Sequence, residues 1–322
     1  MHSAFAGVDL GGTSIKCALG TAEGELLIER SIPTDSHFGP TDVLKRIGDT
    51  INWLTAESGL KPQRLGMGVP GLVDLTRGVT RFLPNLTGHW RDVPAADMLS
   101  SQVGCPVALL NDVRTATLGE LAFGHGREGG GKLSMVFMAI GTGIGGGVVM
   151  DGKLRLGPLG AAGEIGHMTI LPDGPLCGCG NHGCLETLAS GTAIAAEGVR
   201  LVLMGLAPIL REHVHGEPAL ITARTVAEAA DAGDTACFDA IQGAARWLGI
   251  GVANLVTGVH PDLIVIGGGV SRIGQVLIER VREEVHRRVR MFPPETVRVE
   301  GSLVGDRAGI LGAVALAARG LS

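Results

Sequence analysis

Residues 135–156 read MVFMAIGTGIGGGVVMDGKLRL, and the fold turns on how this stretch is parsed. Met135 to Ile140 is an apolar run closed by glycine, the pattern of a buried strand. Gly141, Gly143 and Gly146 then satisfy G-x-G-x-x-G, but the dinucleotide-binding fingerprint needs a helix straight after the glycines and an acidic residue closing a later strand. Neither follows here. Residues 148–150 read as a strand, Asp151-Gly152 as a turn and 153–156 as another strand. The stretch predicts a glycine hairpin between strands, with backbone N–H groups bare enough to approach a phosphate. A glycine-rich turn with no ligand is the plainer alternative.

The opening of the chain has the same layout. Residues 4–10, 14–19 and 25–31 read as strands, with Asp9-Leu10-Gly11-Gly12-Thr13 at the first turn and Glu23-Gly24 at the second. Two such hairpins about 130 residues apart suggest a duplicated α/β domain with a cleft between the copies. After the first, 42–57 sets Val43, Ile47, Ile51 and Leu54 at helical spacing. Strands at 65–69 and 107–110 and a helix at 113–123 follow. After the second, helices are expected at 184–204, 226–232 and 237–256, a strand at 263–266, and helices at 273–289 and 309–318. The last is apolar on all sides and must pack against something.

Composition narrows the function classes. Glycine makes up 52 of 322 residues, about 16% against a usual share of about 7%, and 15 prolines without a three-residue period exclude collagen. Apolar residues at 45% and charged residues at 18% exclude a disordered chain. Net charge is −5, with acidic and basic residues interspersed, and there is no tyrosine, which argues against a nucleic-acid surface. The basic cluster from Arg280 to Arg290 follows Glu279, also holds Glu283 and Glu284, and reads as a solvated helix face. Asp9 interrupts any leader-like stretch, and the uncharged run 133–150 carries five glycines between 141 and 147, so neither a signal peptide nor a membrane span is expected. The expected location is the cytoplasm, where six cysteines stay reduced or bind metal.

Six sets of residues carry chemistry. Asp9 with Gly11, Gly12 and Thr13 combines a hard oxygen suited to Mg²⁺ with bare backbone and a hydroxyl for phosphate; an ordinary glycine turn reads the same residues without a ligand. Gly141, Thr142 and Gly143 repeat the phosphate arrangement. Gly267, Gly268 and Gly269 follow a strong strand, where small residues would let a base or ribose lie on the backbone or simply allow close packing. Asn111-Asp112 closes a strand before a helix, either as an N-cap or, at the carboxyl end of a strand, as a general base. Cys177-Gly178-Cys179-Gly180-Asn181-His182-Gly183-Cys184, with His167 ten residues upstream, has the ligand density of tetrahedral Zn²⁺. Spacing leaves His167 and His182 both open as the fourth ligand. Glu164 and Glu186 flank the loop as carboxylates suited to a polyol, or as surface glutamates.

In this order the motifs resemble the ROK family of bacterial sugar kinases and repressors: Asp9-Leu10-Gly11-Gly12-Thr13, Gly68-Val69-Pro70-Gly71, Pro84-Asn85, Asn111-Asp112, the 141–146 glycines, Glu164-Ile165-Gly166-His167, the Cys177, Cys179, Cys184 loop with Glu186, and Gly267–Gly269. The resemblance implies a duplicated actin-like ATPase (RNase H-like) fold with two domains around a cleft. The small domain would comprise 1–118, completed by a C-terminal helix at 305–322; the larger would comprise 119–304, with its zinc loop at 167–186. It further implies an ATP-dependent kinase acting on the 6-hydroxyl of a hexose, with Asp112 as base. Gly71, Asn85, Asn111, Asp112, Glu164, His167 and Glu186 would hold the sugar. Asp9, with Mg²⁺, and Gly11, Gly12, Thr13, Gly141, Thr142, Gly143 and Gly267–Gly269 would hold ATP. Structural Zn²⁺ would sit on His167, Cys177, Cys179 and Cys184.

Pro84-Asn85-Leu86 followed by Trp90 resembles the glucokinase members, so glucose is expected ahead of N-acetylglucosamine or N-acetylmannosamine. The expected partners are the hexose, ATP and further copies of the chain as a dimer or tetramer, with no nucleic acid and no membrane. A ROK repressor needs a helix-turn-helix segment before the Asp9 motif, and only eight residues precede it. Ser14 stands where members often carry Lys or Asn, and neither it nor Lys16 is given a role.

Overall fold

A computed structural model describes residues 3–83, 86–129 and 131–321. The chain forms two compact units, Met1–Ser134 with Gly147–Gly163 and Leu303–Ser322, and Met135–Gly146 with Glu164–Ser302.

The first unit begins with β1 (Ala4–Leu10), β2 (Ser14–Gly20), β3 (Leu26–Pro33), α1 (Pro40–Ser58), β4 (Pro62–Val69), β5 (Leu72–Asp74) and β6 (Val79–Phe82). It continues with α2 (Ala95–Val103), β7 (Val107–Asn111) and α3 (Asp112–Phe123), and ends with α10 (Ala308–Arg319). β1 alternates faces as a pleated strand must. Ala6, Val8 and Leu10 join Val43, Leu44, Ile47, Ile51 and Leu54 of α1 and Leu99 of α2 in one core, which is the burial the helical spacing of α1 predicts. Phe5 turns the other way, onto Val314 and Ala317 of α10.

That helix gets unusually close to its neighbours. A Cβ on Gly66 of β4 would lie 2.2 Å from the Ala313 carbonyl, and one on Gly312 would lie 1.7 Å from the Thr115 carbonyl of α3. Glycine is what allows backbone to meet backbone there. The apolar surface predicted for the last helix is buried in this packing, with Ala313, Val314 and Ala315 fully covered.

The second unit begins with β8 (Met135–Ile140), and β9 (Ile144–Met150) and β10 (Lys153–Arg155) follow in the chain. Then come α4 (Leu185–Ala189), α5 (Gly191–Leu203), α6 (Pro208–His213), α7 (Ala223–Asp231), α8 (Thr235–Val259), β11 (Leu263–Gly267), α9 (Gln275–Arg288) and β12 (Arg298–Gly301). The two five-stranded sheets run β3-β2-β1-β4-β7 and β10-β9-β8-β11-β12. In the first, β3-β2-β1 is antiparallel and β1-β4-β7 parallel; in the second, β10-β9 is antiparallel and β8-β11-β12 parallel, so the duplication read from the two glycine hairpins is a duplication of sheet order. Among the described residues no helix is long and apolar enough to cross a membrane.

Two local readings need correction. The glycine run was assigned to a turn up to residue 147, but the strand already starts at Ile144. Gly147 lies within that strand, and a Cβ there would sit 2.1 Å from Thr117 Oγ1 of α3, so close packing on α3 calls for glycine at this strand position. Packing, not local propensity, decides that residue. The single helical stretch expected at 184–204 is two helices, broken where Ser190 caps α5 by accepting from the Ala193 N–H.

Candidate functional site

In the first unit the candidate residues gather at the carboxyl ends of three parallel strands. Asp9 of β1 pairs in register with Gly68 of β4, which pairs with Leu110 of β7, one residue before Asn111. Open α/β sheets place ligands at this edge. Burial pushes the Asp9 carboxyl above the usual carboxylate range, against the pull of Lys16 across the β1–β2 pair. Its oxygens press on the first turn of α10, close enough that a Cβ on Gly309 would come within 2.5 Å of Oδ2. The Gly11–Thr13 turn is held from below: the Gly11 N–H donates to the Ser14 carbonyl at 3.0 Å, and the buried Thr34 donates its hydroxyl to the Gly11 carbonyl at 2.7 Å. Gly12 and Thr13 remain exposed.

Asn111 and Asp112 sit at the β7–α3 junction. The Asn111 side chain caps α3, accepting from the N–H groups of Val113 (3.1 Å) and Arg114 (3.2 Å), and its amide donates to the Gly71 carbonyl at 3.1 Å. The N-cap reading and the closeness to Gly71 therefore hold together in one residue. Asp112 Oδ1 accepts from the Val113 N–H at 2.9 Å. Desolvation nevertheless dominates and pushes the carboxyl up to about 6; Asp9 adds to the rise, while the Val113 bond and Arg114 oppose it. A carboxyl near 6 can take a proton at neutral pH and is half charged just below it. Gly71 has φ 138°, and a Cβ there would meet the Phe82 carbonyl at 2.2 Å. Asn85 and Pro84 lie outside the described residues.

In the second unit the hairpin between β8 and β9 docks on the start of α5. The Gly141 N–H donates to the Gly143 carbonyl at 2.9 Å, the Gly191 N–H to the Gly141 carbonyl at 2.8 Å, and the Thr192 hydroxyl to the Thr142 carbonyl at 2.7 Å. Beside it opens a groove of ≈ 910 Å³ lined by Gly141, Thr142, Gly191, Thr192, Ala195, Ile221, Arg224, Phe238, Ile241, Gly269, Val270 and Arg272, among others. Gly267 and Gly268 do not line it. Gly268 instead has φ 82° and lies where a Cβ would strike the Ile140 backbone at 2.5 Å, and Gly267 backs onto Phe137. Most of the groove wall was missed in the sequence. Ser190-Gly191-Thr192, a capping residue followed by small ones, was the available signal.

The cysteine loop forms one cluster. Ligand atoms of His167, Cys177, Cys179 and Cys184 all lie within 4.8 Å of one another, with Cys177 Sγ to His167 Nδ1 at 3.6 Å and Cys179 Sγ to Cys184 Sγ at 3.7 Å. Tetrahedral bonds of about 2.3 Å to sulfur and about 2.0 Å to nitrogen imply edges of about 3.5–3.8 Å, so thiolates and imidazole here fit a zinc ion. His182 is turned away, its ring nitrogen 3.1 Å from the Gly174 carbonyl. Glu164 Oε2 is 3.8 Å from His167 Nε2. Glu186 is less free than expected of a polyol ligand: its Oε2 accepts from the Ile144 N–H at 2.8 Å, at the turn where a Cβ on Gly143 would clash with it at 2.1 Å.

The glucokinase of Halalkalibacterium halodurans is 36% identical over 321 residues, covering 96% of this chain and 93% of that one. The glucokinase of Thermotoga maritima is 37% identical over 313 residues, 96% of each chain. Among solved structures, a ROK family glucokinase from Streptomyces griseus, in complex with glucose and AMPPNP, superposes with a TM-score of 0.82 at 33% identity over 98% of this chain and 99% of that one. The ROK family profile matches residues 5–319. The motif order, the repeated sheet order and this full-length likeness agree: the chain is a member of the ROK family with the family's two-domain, actin-like ATPase fold.

Proposed function

We propose that the protein phosphorylates glucose at its 6-hydroxyl, with ATP as donor, in the cytoplasm. The observation that carries this reading is Asp112, a desolvated carboxylate at the strand edge whose pKa of about 6 suits a general base, in a chain alike end to end to glucokinases. Asn111 and Gly71 orient the sugar beside it, and Asn85, Glu164, His167 and Glu186 are assigned to sugar binding as well. Asp112 accepts the 6-hydroxyl proton as that oxygen attacks the γ-phosphorus in line, and ADP leaves. Such catalysis is chiefly positioning and charge neutralisation.

Asp9 suits the Mg²⁺ that accompanies ATP, because a dication offsets the cost of ionising a buried carboxylate; the ion's contribution is to neutralise phosphate charge. Gly12 and Thr13 in one turn, and Thr142 and Gly143 in the other, would offer N–H and hydroxyl donors to phosphate, while the Gly11 and Gly141 N–H groups hold those turns through the Ser14 and Gly143 carbonyls. Ala195, Ile221, Phe238, Ile241 and Val270 give the groove an apolar wall for the base. His167, Cys177, Cys179 and Cys184 would hold a zinc ion, which would cross-link the loop leading to Glu186 and serve structure alone.

The test is a panel of glucose, mannose, N-acetylglucosamine, N-acetylmannosamine and fructose with ATP and Mg²⁺. Glucose should give the highest kcat/KM, by tenfold or more over the N-acetylated sugars. A higher value for N-acetylmannosamine would reassign the sugar, and no ADP release with any of them would overturn the kinase.

A further inference from the structure

Arg114 was not singled out by its sequence, yet it is the most deeply committed cation at the strand edge. It is 2% exposed, on the first turn of α3, one residue beyond Val113. Its Nη1 donates to Asn111 Oδ1 at 2.9 Å, its Nε to the Ala162 carbonyl at 3.1 Å and its Nη2 to the Ala161 carbonyl at 3.0 Å. One planar group thus joins the side chain that caps α3 and contacts Gly71 to the 157–163 loop. That loop needs fastening: Gly157, Gly160 and Gly163 all have positive φ (69°, 70° and 99°), and Leu159 at its tip is 69% exposed. Three glycines in seven residues leave little intrinsic order, and Glu164 follows directly in the chain.

A guanidinium is also a poor choice for filling space here. Burying a charge is costly unless its donors are all used, and lysine, with a single ammonium, cannot span three acceptors in a plane. The same charge favours the ionised form of Asp112. We propose that Arg114 is a positioning residue for sugar phosphorylation: it sets the Asn111 side chain and clamps the 157–163 loop against α3, so that the sugar-facing edge is ordered before glucose arrives. The proposal rests on the sugar-kinase reading above for its role, but the clamp itself does not.

The experiment compares wild type, Arg114→Met and Arg114→Lys by two measurements. Hydrogen exchange of the 157–163 amides without sugar should speed up tenfold or more in Arg114→Met and by less in Arg114→Lys. Steady-state kinetics should show KM for glucose raised tenfold or more in Arg114→Met, partly recovered in Arg114→Lys, with KM for ATP within twofold of wild type. Unchanged exchange in the folded variants overturns the clamp. Faster exchange with an unchanged glucose KM, or with both KM values raised alike, overturns the positioning role. If Arg114→Met does not fold, Arg114→Lys decides both points by the same comparisons. A wild type that phosphorylates no sugar, with the exchange difference intact, would strike the functional reading while leaving the clamp standing.

Discussion

Replacing Asp112 by Asn should make the protein a far worse enzyme and a more stable one. The carboxyl rises from 3.8 to about 6 in the fold, so carrying it ionised costs the folded state about 2 pKa steps of about 1.4 kcal/mol each, or roughly 3 kcal/mol. The folded pKa lies above the unfolded one. The group's favourable contribution is therefore complete below about pH 4 and is lost as pH rises through about 6. Asn keeps the shape and an oxygen for the Val113 N–H but has nothing to ionise. Relative to wild type, the variant should gain up to about 3 kcal/mol at pH 8, with about half of that appearing between pH 5 and pH 8. Urea unfolding of both proteins at pH 5 and pH 8 measures the difference. In the same variant kcat should fall about 10²–10⁴-fold with glucose binding largely kept, and in wild type kcat/KM should drop about tenfold per pH unit below about 6. A variant whose stability advantage is the same at both pH values would refute the buried-base argument, as would near-normal turnover.

Two further outcomes follow from geometry. Elemental analysis of reduced protein should find about one zinc per chain, and Cys177→Ser or chelation should remove it and lower Tm; a metal content near zero would count against the site. Gly312→Ala should destabilise by about 3 kcal/mol or more in denaturant titration, because the new Cβ meets the Thr115 carbonyl at 1.7 Å, whereas a change under about 0.5 kcal/mol would mean α10 can lift off α3 at little cost.

What was legible in the sequence was what local chemistry dictates. The apolar runs of β1, β8 and β11, the periodic burial of α1 and the repeat of hairpin layout all come from neighbours within a few residues, and motif order was enough to point to the family. Short strands without a period of their own, β5, β6 and β12, were not anticipated, because pairing rather than propensity makes them, and the six-residue α6 is too short to show a helical period. The fourth ligand shows the limit well. Spacing left His167 and His182 equal, and the fold separates them by two bridges: Thr169 to Cys184 brings the His167 segment beside the loop, while Leu176 to His182 folds the loop so that His182 points off it. Arg114 was invisible for a related reason, since its partners at Ala161 and Ala162 are backbone carbonyls 47 and 48 residues away, and carbonyls leave no trace in residue type.

The position of α10 sets an order on synthesis. The faces of β1 and β4 that include Gly7 and Gly66 are covered by residues 310–317, which are synthesised long after those strands. Until then the earliest strands have an open apolar side, and the second unit, whose segments all precede residue 303, has every residue it needs first. The first-made half of the protein is therefore the last to be completed. Loss of α10 would be felt at Asp9, whose carboxylate lies against Gly309, some three hundred residues upstream in the chain.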